Sequence, residues 1–299
     1  MLSRGPLPYI LRSMSRSSRK WAPRVLRLLA AILLLYTMAT ALLWWRQDDF
    51  LFRPTREYTI LPDSAGLTYE NVDIEVEPGT TIRGWFIPGS GKPVGTVLYF
   101  HGNARNLSYY LHRVAPFAAA GFNSLSIDYE GYGQSGGVPS EASLYRDADA
   151  AWHWLTTTKG IEPHRIVVWG YSLGGAAATW CASRQDAGAV VLESTFTTIP
   201  DVGAHVFPWL PVKLVSRSEF PSLARISIIR EPILIAHGKQ DNLIPFEMGR
   251  QLYEAAMEPK RFVELPGGHS DALVQNPAAW SEVRNFLATA GFIAQSTDD

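Results

Sequence analysis

The sequence predicts an α/β protein: a mostly parallel central sheet with helices on both faces, an N-terminal antiparallel hairpin and a short cap, preceded by one transmembrane helix. Three observations carry this prediction. From Thr96 onward, short continuous apolar runs alternate with helical segments, the pattern of parallel strands buried under helices. One of those runs, Ile166 to Trp169, feeds directly into the tight turn Gly170-Tyr-Ser-Leu-Gly174 and then a small-residue helix. Upstream, an uncharged apolar run stands beside a basic start.

The basic start holds seven positive residues within residues 1–27 (Arg4, Arg12, Arg16, Arg19, Lys20, Arg24, Arg27) and no acidic one. The run Leu28 to Trp45 follows, with 18 uncharged residues. That is enough to cross a thin hydrocarbon layer as a helix, and Trp44 and Trp45 sit where an interfacial aromatic belt belongs. The reading is a basic tail over 1–27, a membrane anchor over 28–45 and one α/β domain over 46–299, with a cap inserted at about 194–231. The positive-inside rule keeps the tail cytoplasmic and places the domain on the opposite, periplasmic or extracytoplasmic face. Two other readings compete. Ala39-Thr-Ala41 resembles a signal-peptide cleavage site, and the Arg- and Ser-rich start resembles a transit peptide. Against cleavage, Leu42-Leu-Trp-Trp45 continues the apolar run past the site.

The chain as a whole is 46% hydrophobic and 18% charged. Without residues 1–45 it keeps 20 basic against 28 acidic residues, a formal charge of −8. That balance offers no electrostatic footprint for nucleic acid. The lone Cys181 excludes an intramolecular disulfide and a cysteine metal cluster; on a small-residue helix it reads as core.

After an aromatic linker, Phe50 to Tyr58, the alternation in Thr68 to Val76 predicts a half-exposed strand. Glu77-Pro-Gly-Thr80 turns it, and Thr81 to Ile87 returns as its hairpin partner. The apolar runs then predict strands at 96–100, 123–128, 166–169, 189–192, 232–237 and 261–265. Helices are expected near 107–120, 140–157, 174–184, 245–256 and 277–290. Residues 194–231, rich in proline and aromatics, break the alternation and predict the cap over the strand ends.

A G-x-S-x-G sequence alone is a weak signal. Here the strand before it and the helix after it supply the context that gives it meaning. The flanking glycines permit a sharp turn that lifts the serine hydroxyl above the sheet, and the helix N-terminus offers N–H groups to a developing oxyanion. Four further motifs fall at predicted strand ends: His101-Gly-Asn-Ala104, Asp128-Tyr-Glu-Gly-Tyr-Gly-Gln-Ser135, Gly238-Lys-Gln-Asp-Asn-Leu-Ile-Pro245 and Gly267-Gly-His-Ser-Asp271.

In that order and over about residues 50–290, these motifs resemble the α/β-hydrolase superfamily. Within it the chain is most similar to small membrane-anchored α/β-hydrolase-domain serine hydrolases, a group with lysophospholipases and depalmitoylating thioesterases. The resemblance implies a Ser-His-Asp acyl-enzyme mechanism acting on a carboxylic ester or thioester, and the adjoining bilayer anchor and aromatic cap point to a substrate of acyl-chain or lipid-like character. Serine needs a base to become nucleophilic and the base needs an acid to orient it. The order Ser172, Asp241, His269 matches the fold's order, giving nucleophile, orienting acid and general base. Glu193, ending its own strand, is the alternative acid. The oxyanion donors implied are the backbone N–H groups of Leu173 and Asn103. No cofactor and no metal are expected; the partners expected are a lipid bilayer and a small-molecule or lipid ester. His101 and His237 read as structural. The cap charges Lys213, Arg217, Arg225 and Arg230 read either as a binding surface for an anionic head group or as ordinary solvated charges.

Gly131-Tyr-Gly-Gln-Ser-Gly136 is a literal G-x-G-x-x-G, but Tyr129 and Glu130 separate it from the strand and no acid-tipped second strand follows. It reads as a structural turn. Glu130 stands where relatives commonly carry an arginine. Two alternatives remain in view. One is an aminopeptidase-type serine peptidase, disfavoured because such proteins carry His-Gly-Gly-Pro where this chain has His101-Gly-Asn-Ala104. The other is a catalytically silent binding protein on the same fold.

Overall fold

The structure is a computed structural model that describes residues 18–270, 273 and 276–293. Residues 1–17 of the basic tail and Asp271 of the last motif lie outside the described residues. The chain divides into two units, residues 1–46 and 47–299.

Helix α1 runs from Ser18 to Leu51. It exceeds the expected 28–45 span at both ends: it begins before Pro23, and Arg46 to Leu51 contain no breaker until Arg53-Pro54, where proline biases its predecessor to extended backbone. Pro23, the sixth residue, lies inside the helix and removes one intrahelical N–H donor there. Within Trp21–Leu51 an 18-residue window has a mean hydropathy of 2.1, and the helix is long and apolar enough to cross a membrane.

In the second unit the linker is partly ordered as a strand. Residues β1 (Arg53–Pro54) lie parallel to β5 (Ala104–Arg105), Arg53 opposite Ala104. Between these two come the hairpin β2 (Glu70–Glu77) and β3 (Thr80–Ile87), then β4 (Gly95–Phe100). The chain continues through α2 (Leu107–Ala119), β6 (Phe122–Asp128), α3 (Glu141–His153), β7 (Ile166–Tyr171), α4 (Leu173–Ala182) and β8 (Ala189–Glu193). Three short helices make up the cap region: α5 (Ile199–Val206), α6 (Val212–Val215) and α7 (Ser222–Ile226). Strand β9 (Ile233–Gly238), helix α8 (Phe246–Ala255), strand β10 (Lys260–Leu265) and helix α9 (Pro277–Thr289) complete it. The helix expected over 140–157 ends at His153 and gives way to a π-helical turn over Trp154–Thr158. There Thr156, Thr157 and Thr158 crowd the backbone, and Thr157 bonds back to the His153 carbonyl.

The main sheet has eight strands in the order β10-β9-β8-β7-β4-β6-β3-β2. Only β2·β3 and β3·β6 are antiparallel. Every residue of β4, β7, β8 and β9 is buried, which is why these segments are apolar without alternation. Their side chains still alternate between faces. Leu98, Phe100, Val168 and Leu192 enter one core layer, and Val97, Tyr99, Trp169 and Val191 enter the other. Helices on both faces seal these layers, so the carboxyl ends of β7, β8 and β9 are left as a crevice in which loops can converge. Cys181 is buried in the first layer, as a core residue would be.

Candidate active site

Ser172 stands between β7 and α4 with φ 54° and ψ −118°. A non-glycine residue held there is strained and persists only when its surroundings fix it. Three contacts do so: the Ser172 N–H donates to the Glu193 carbonyl at 2.9 Å, Thr195 Oγ1 donates to the Ser172 carbonyl at 2.8 Å, and the Gly175 N–H donates to the same carbonyl at 2.9 Å. The turn also needs Gly174, since a Cβ there would run into the Phe100 carbonyl of β4.

The three residues read from the motifs meet. Ser172 Oγ lies 2.9 Å from His269 Nε2, and His269 Nδ1 lies 2.7 Å from Asp241 Oδ2. Both Ser172 (6% exposed) and Asp241 (7%) are buried. Burial pushes the Asp241 carboxyl up, but hydrogen bonds from His237 and His269, the charge of His269 and the Ile244 N–H together hold it well below the usual carboxylate range. Its other oxygen, Oδ1, accepts from the N–H groups of Leu243 (2.9 Å) and Ile244 (2.8 Å). A carboxylate so supplied with donors stays ionised and presents one oxygen to the histidine. His237, read as structural, is fully buried behind it with Nε2 2.9 Å from the Ile244 carbonyl and 3.5 Å from Asp241 Oδ2.

Glu193, the alternative acid, is taken by another partner. Its Oε1 sits 2.5 Å from Arg113 Nη1, so it is the carboxylate of Asp241 that reaches His269.

Leu173 is the first residue of α4, where an N–H has no intrahelical acceptor. Asn103 is fixed from three sides. Its carbonyl accepts from the Arg53 N–H (2.9 Å) and Tyr132 Oη (2.7 Å), and its side-chain amide donates to the Leu51 carbonyl (3.2 Å). The residues next to it are also tied down: Asn106 Nδ2 donates to the carbonyls of Thr55 (3.1 Å) and Glu57 (2.7 Å). The sequence did not reveal that the linker after α1 braces this loop. Its only trace was the aromatic content of residues 50–58.

The G-x-G-x-x-G segment is a turn built on Gly131 (φ 82°) and Gly133 (φ 47°), closed by the Gly131 N–H donating to the Gly136 carbonyl at 2.7 Å. Glu130 accepts from Arg146 Nη2 at 2.7 Å. Of the cap-region cations, Lys213 pairs with Asp201 at 2.6 Å, Arg217 with Asp48 at 2.6 Å, and Arg225 donates to Tyr145 Oη at 2.6 Å.

A profile of the family described as serine aminopeptidase, S33, matches residues 91–223. An uncharacterized membrane protein of Saccharomyces cerevisiae is 31% identical over 277 residues, covering 89% of this chain and 97% of the yeast protein. Alpha/beta hydrolase domain-containing protein 17B of Xenopus tropicalis is 37% identical over 199 residues, 64% of this chain and 66% of the frog protein. The chain belongs to the α/β-hydrolase superfamily. Among solved structures, the Pyrococcus furiosus esterase Pf2001 shares the fold at a TM-score of 0.67 and 24% identity, covering 79% of this chain and 98% of the esterase. This α/β-hydrolase is accordingly a hydrolase, with Ser172, His269 and Asp241 hydrogen-bonded in series at the carboxyl ends of its strands.

Proposed function

We propose that the protein is a membrane-anchored serine hydrolase that cleaves a carboxylic ester or thioester of acyl-chain or lipid-like character through an acyl-enzyme. The observation that carries this reading is the series Ser172 Oγ to His269 Nε2 at 2.9 Å and His269 Nδ1 to Asp241 Oδ2 at 2.7 Å, on a strained turn opening a helix.

In this mechanism Asp241 fixes the tautomer with the proton on Nδ1, which leaves Nε2 free to accept the Ser172 proton as Oγ attacks the acyl carbon. The oxyanion that forms is met by the N–H groups of Leu173 and Asn103; such donors contribute about 3 kcal/mol each to the transition state. His269 then gives its proton to the departing alcohol or thiol. Water, activated by the same nitrogen, releases the acyl group and restores Ser172. The α1 helix supports an anchor, as does the yeast relative called a membrane protein. With the basic tail retained in the cytoplasm, the hydrolase domain works on the opposite face.

The test is labelling by a fluorophosphonate probe. Wild-type protein should be labelled and Ser172→Ala should not; folded wild-type protein that takes no label rejects the reading. A second reading, a serine aminopeptidase, is favoured by the description of the matching family. Hydrolysis of proline p-nitroanilide without hydrolysis of p-nitrophenyl acyl esters would select it. Protease accessibility of the domain in sealed vesicles tests the orientation.

A further inference from the structure

Helix α2 carries a charge where packing alone would place an apolar side chain. Arg113 lies among the buried Tyr110, Leu111, Val114 and Phe117, and is itself 4% exposed, as Glu193 is 1% exposed. A buried ion pair of this kind is generally no more stabilising than well-packed apolar residues of the same volume. Its place in the structure therefore calls for another reason.

That reason lies in what the guanidinium touches. Nη1 meets Glu193 Oε1 at 2.5 Å, Nη2 donates to the Ser270 carbonyl, and the central carbon stands 3.9 Å from the centre of the Tyr171 ring. Each contact is one bond or one residue from the reacting groups. Tyr171 precedes Ser172, Ser270 follows His269, and the Glu193 carbonyl holds the Ser172 N–H. Tyr171 closes the circuit, with Oη 3.2 Å from the His269 carbonyl and its ring centre 5.5 Å from that of His269. Burial works against the Arg113 charge, but the Glu193 carboxylate beside it, together with Tyr99 and Tyr171, outweighs this and holds the guanidinium above its ordinary value, so the cation is kept.

We infer that Arg113, oriented by Glu193, is a positioning residue that sets the distance between Ser172 and His269 by tying the strand end of β7 to the loop after β10. The inference rests on the serine-hydrolase reading above. The planar guanidinium meets a carboxylate and a carbonyl through two separate nitrogens while its face lies on a ring; an ammonium, one nitrogen on a flexible stem, does not reproduce that fixed spacing or stacking. Misplacing a base by about 1 Å costs roughly a hundredfold in rate.

The experiment separates positioning from stability. In Arg113→Met/Glu193→Leu both charges are replaced by apolar groups, so no buried charge is orphaned and the melting temperature should stay near wild type. Its kcat on a p-nitrophenyl ester and its rate of fluorophosphonate labelling should each fall at least about tenfold, with KM within about threefold. Arg113→Lys keeps the charge beside Glu193 but gives up the fork, and should lose kcat by about the same order while remaining folded. Wild-type kcat in the double variant overturns the inference, and so does wild-type kcat in a folded Arg113→Lys should the double variant not fold. A wild-type protein that takes no label overturns the serine-hydrolase reading and this inference together. A labelled wild type with an equally fast double variant overturns this inference alone.

Discussion

Tyr132 Oη donates to the Asn103 carbonyl at 2.7 Å. The glycine-rich turn after β6 thereby grips the loop that carries a proposed oxyanion donor. Tyr132 is fully buried, and burial pushes its hydroxyl far above the ordinary tyrosine value, so it remains a donor at any working pH. In Tyr132→Phe the carbonyl keeps its bond from the Arg53 N–H. No acceptor is orphaned, so the stability loss should be about 1 kcal/mol by urea unfolding. The kcat on a p-nitrophenyl ester should nevertheless fall severalfold at unchanged KM, because the loop gains freedom where an oxyanion must be met. An unchanged kcat would separate the loop from the reaction.

Asn106 ties the linker to the same loop more firmly. Its Oδ1 caps α2 through the Ser108 N–H at 3.1 Å, while its Nδ2 serves the carbonyls of Thr55 and Glu57. Asn106→Ala removes an N-cap costing about 1 kcal/mol and leaves partly buried carbonyls unsatisfied at about 1–3 kcal/mol. A total loss of about 2–4 kcal/mol in denaturant midpoints is expected. A loss under 1 kcal/mol would show that water replaces the bonds to the linker.

The order of strands and helices was legible because burial on both faces imposes continuous apolar runs, as in Val97 to Phe100 and Ile166 to Trp169, and glycine-bounded ends mark where they stop. Ser172, Asp241 and His269 each follow such an end, and the resemblance to the α/β-hydrolase motif order singled them out there. What stayed hidden depends on distant partners. Nothing near Arg113 in sequence announces Glu193 or Ser270, eighty and more residues away. The pairing of Arg53-Pro54 with Ala104-Arg105 is two residues long, too short for any pattern. The extension of α1 to Leu51 follows from the absence of a breaker, and hydropathy marks only where charge begins, not where helix ends.

Gly174 packs so closely on β4 that a side chain has no room. A Cβ there would meet the backbone of Phe100 and the carbonyl of His101. Backbone cannot yield as a flexible side chain does, so Gly174→Ala must displace α4 and the turn that carries Ser172. A stability loss of about 2–4 kcal/mol is expected, with a larger loss of fluorophosphonate labelling than of folded protein. Equal losses would mean that the turn itself is unmoved.

The Asp241 carboxylate makes a prediction about acid. Its folded value is depressed, with burial opposing and the bonds from His237 and His269 prevailing. An unfolded aspartate titrates near 3.9. A group depressed on folding contributes stability that is fully present above its unfolded value and is lost as pH falls through the folded one. The wild-type protein should therefore lose stability progressively below about pH 4, and Asp241→Asn, which has no proton to bind, should lose less over the same window. Urea midpoints at pH 7 and pH 3 measure both. At pH 7 the amide also presents the wrong partner to Nδ1, and kcat should fall by up to about 10⁴-fold, as it does when a triad aspartate becomes asparagine. Glu193→Gln is the control that distinguishes the acids: it leaves the His269 to Asp241 bond in place and should not approach that loss. Parallel acid slopes in wild type and Asp241→Asn would show that Asp241 contributes nothing to acid unfolding.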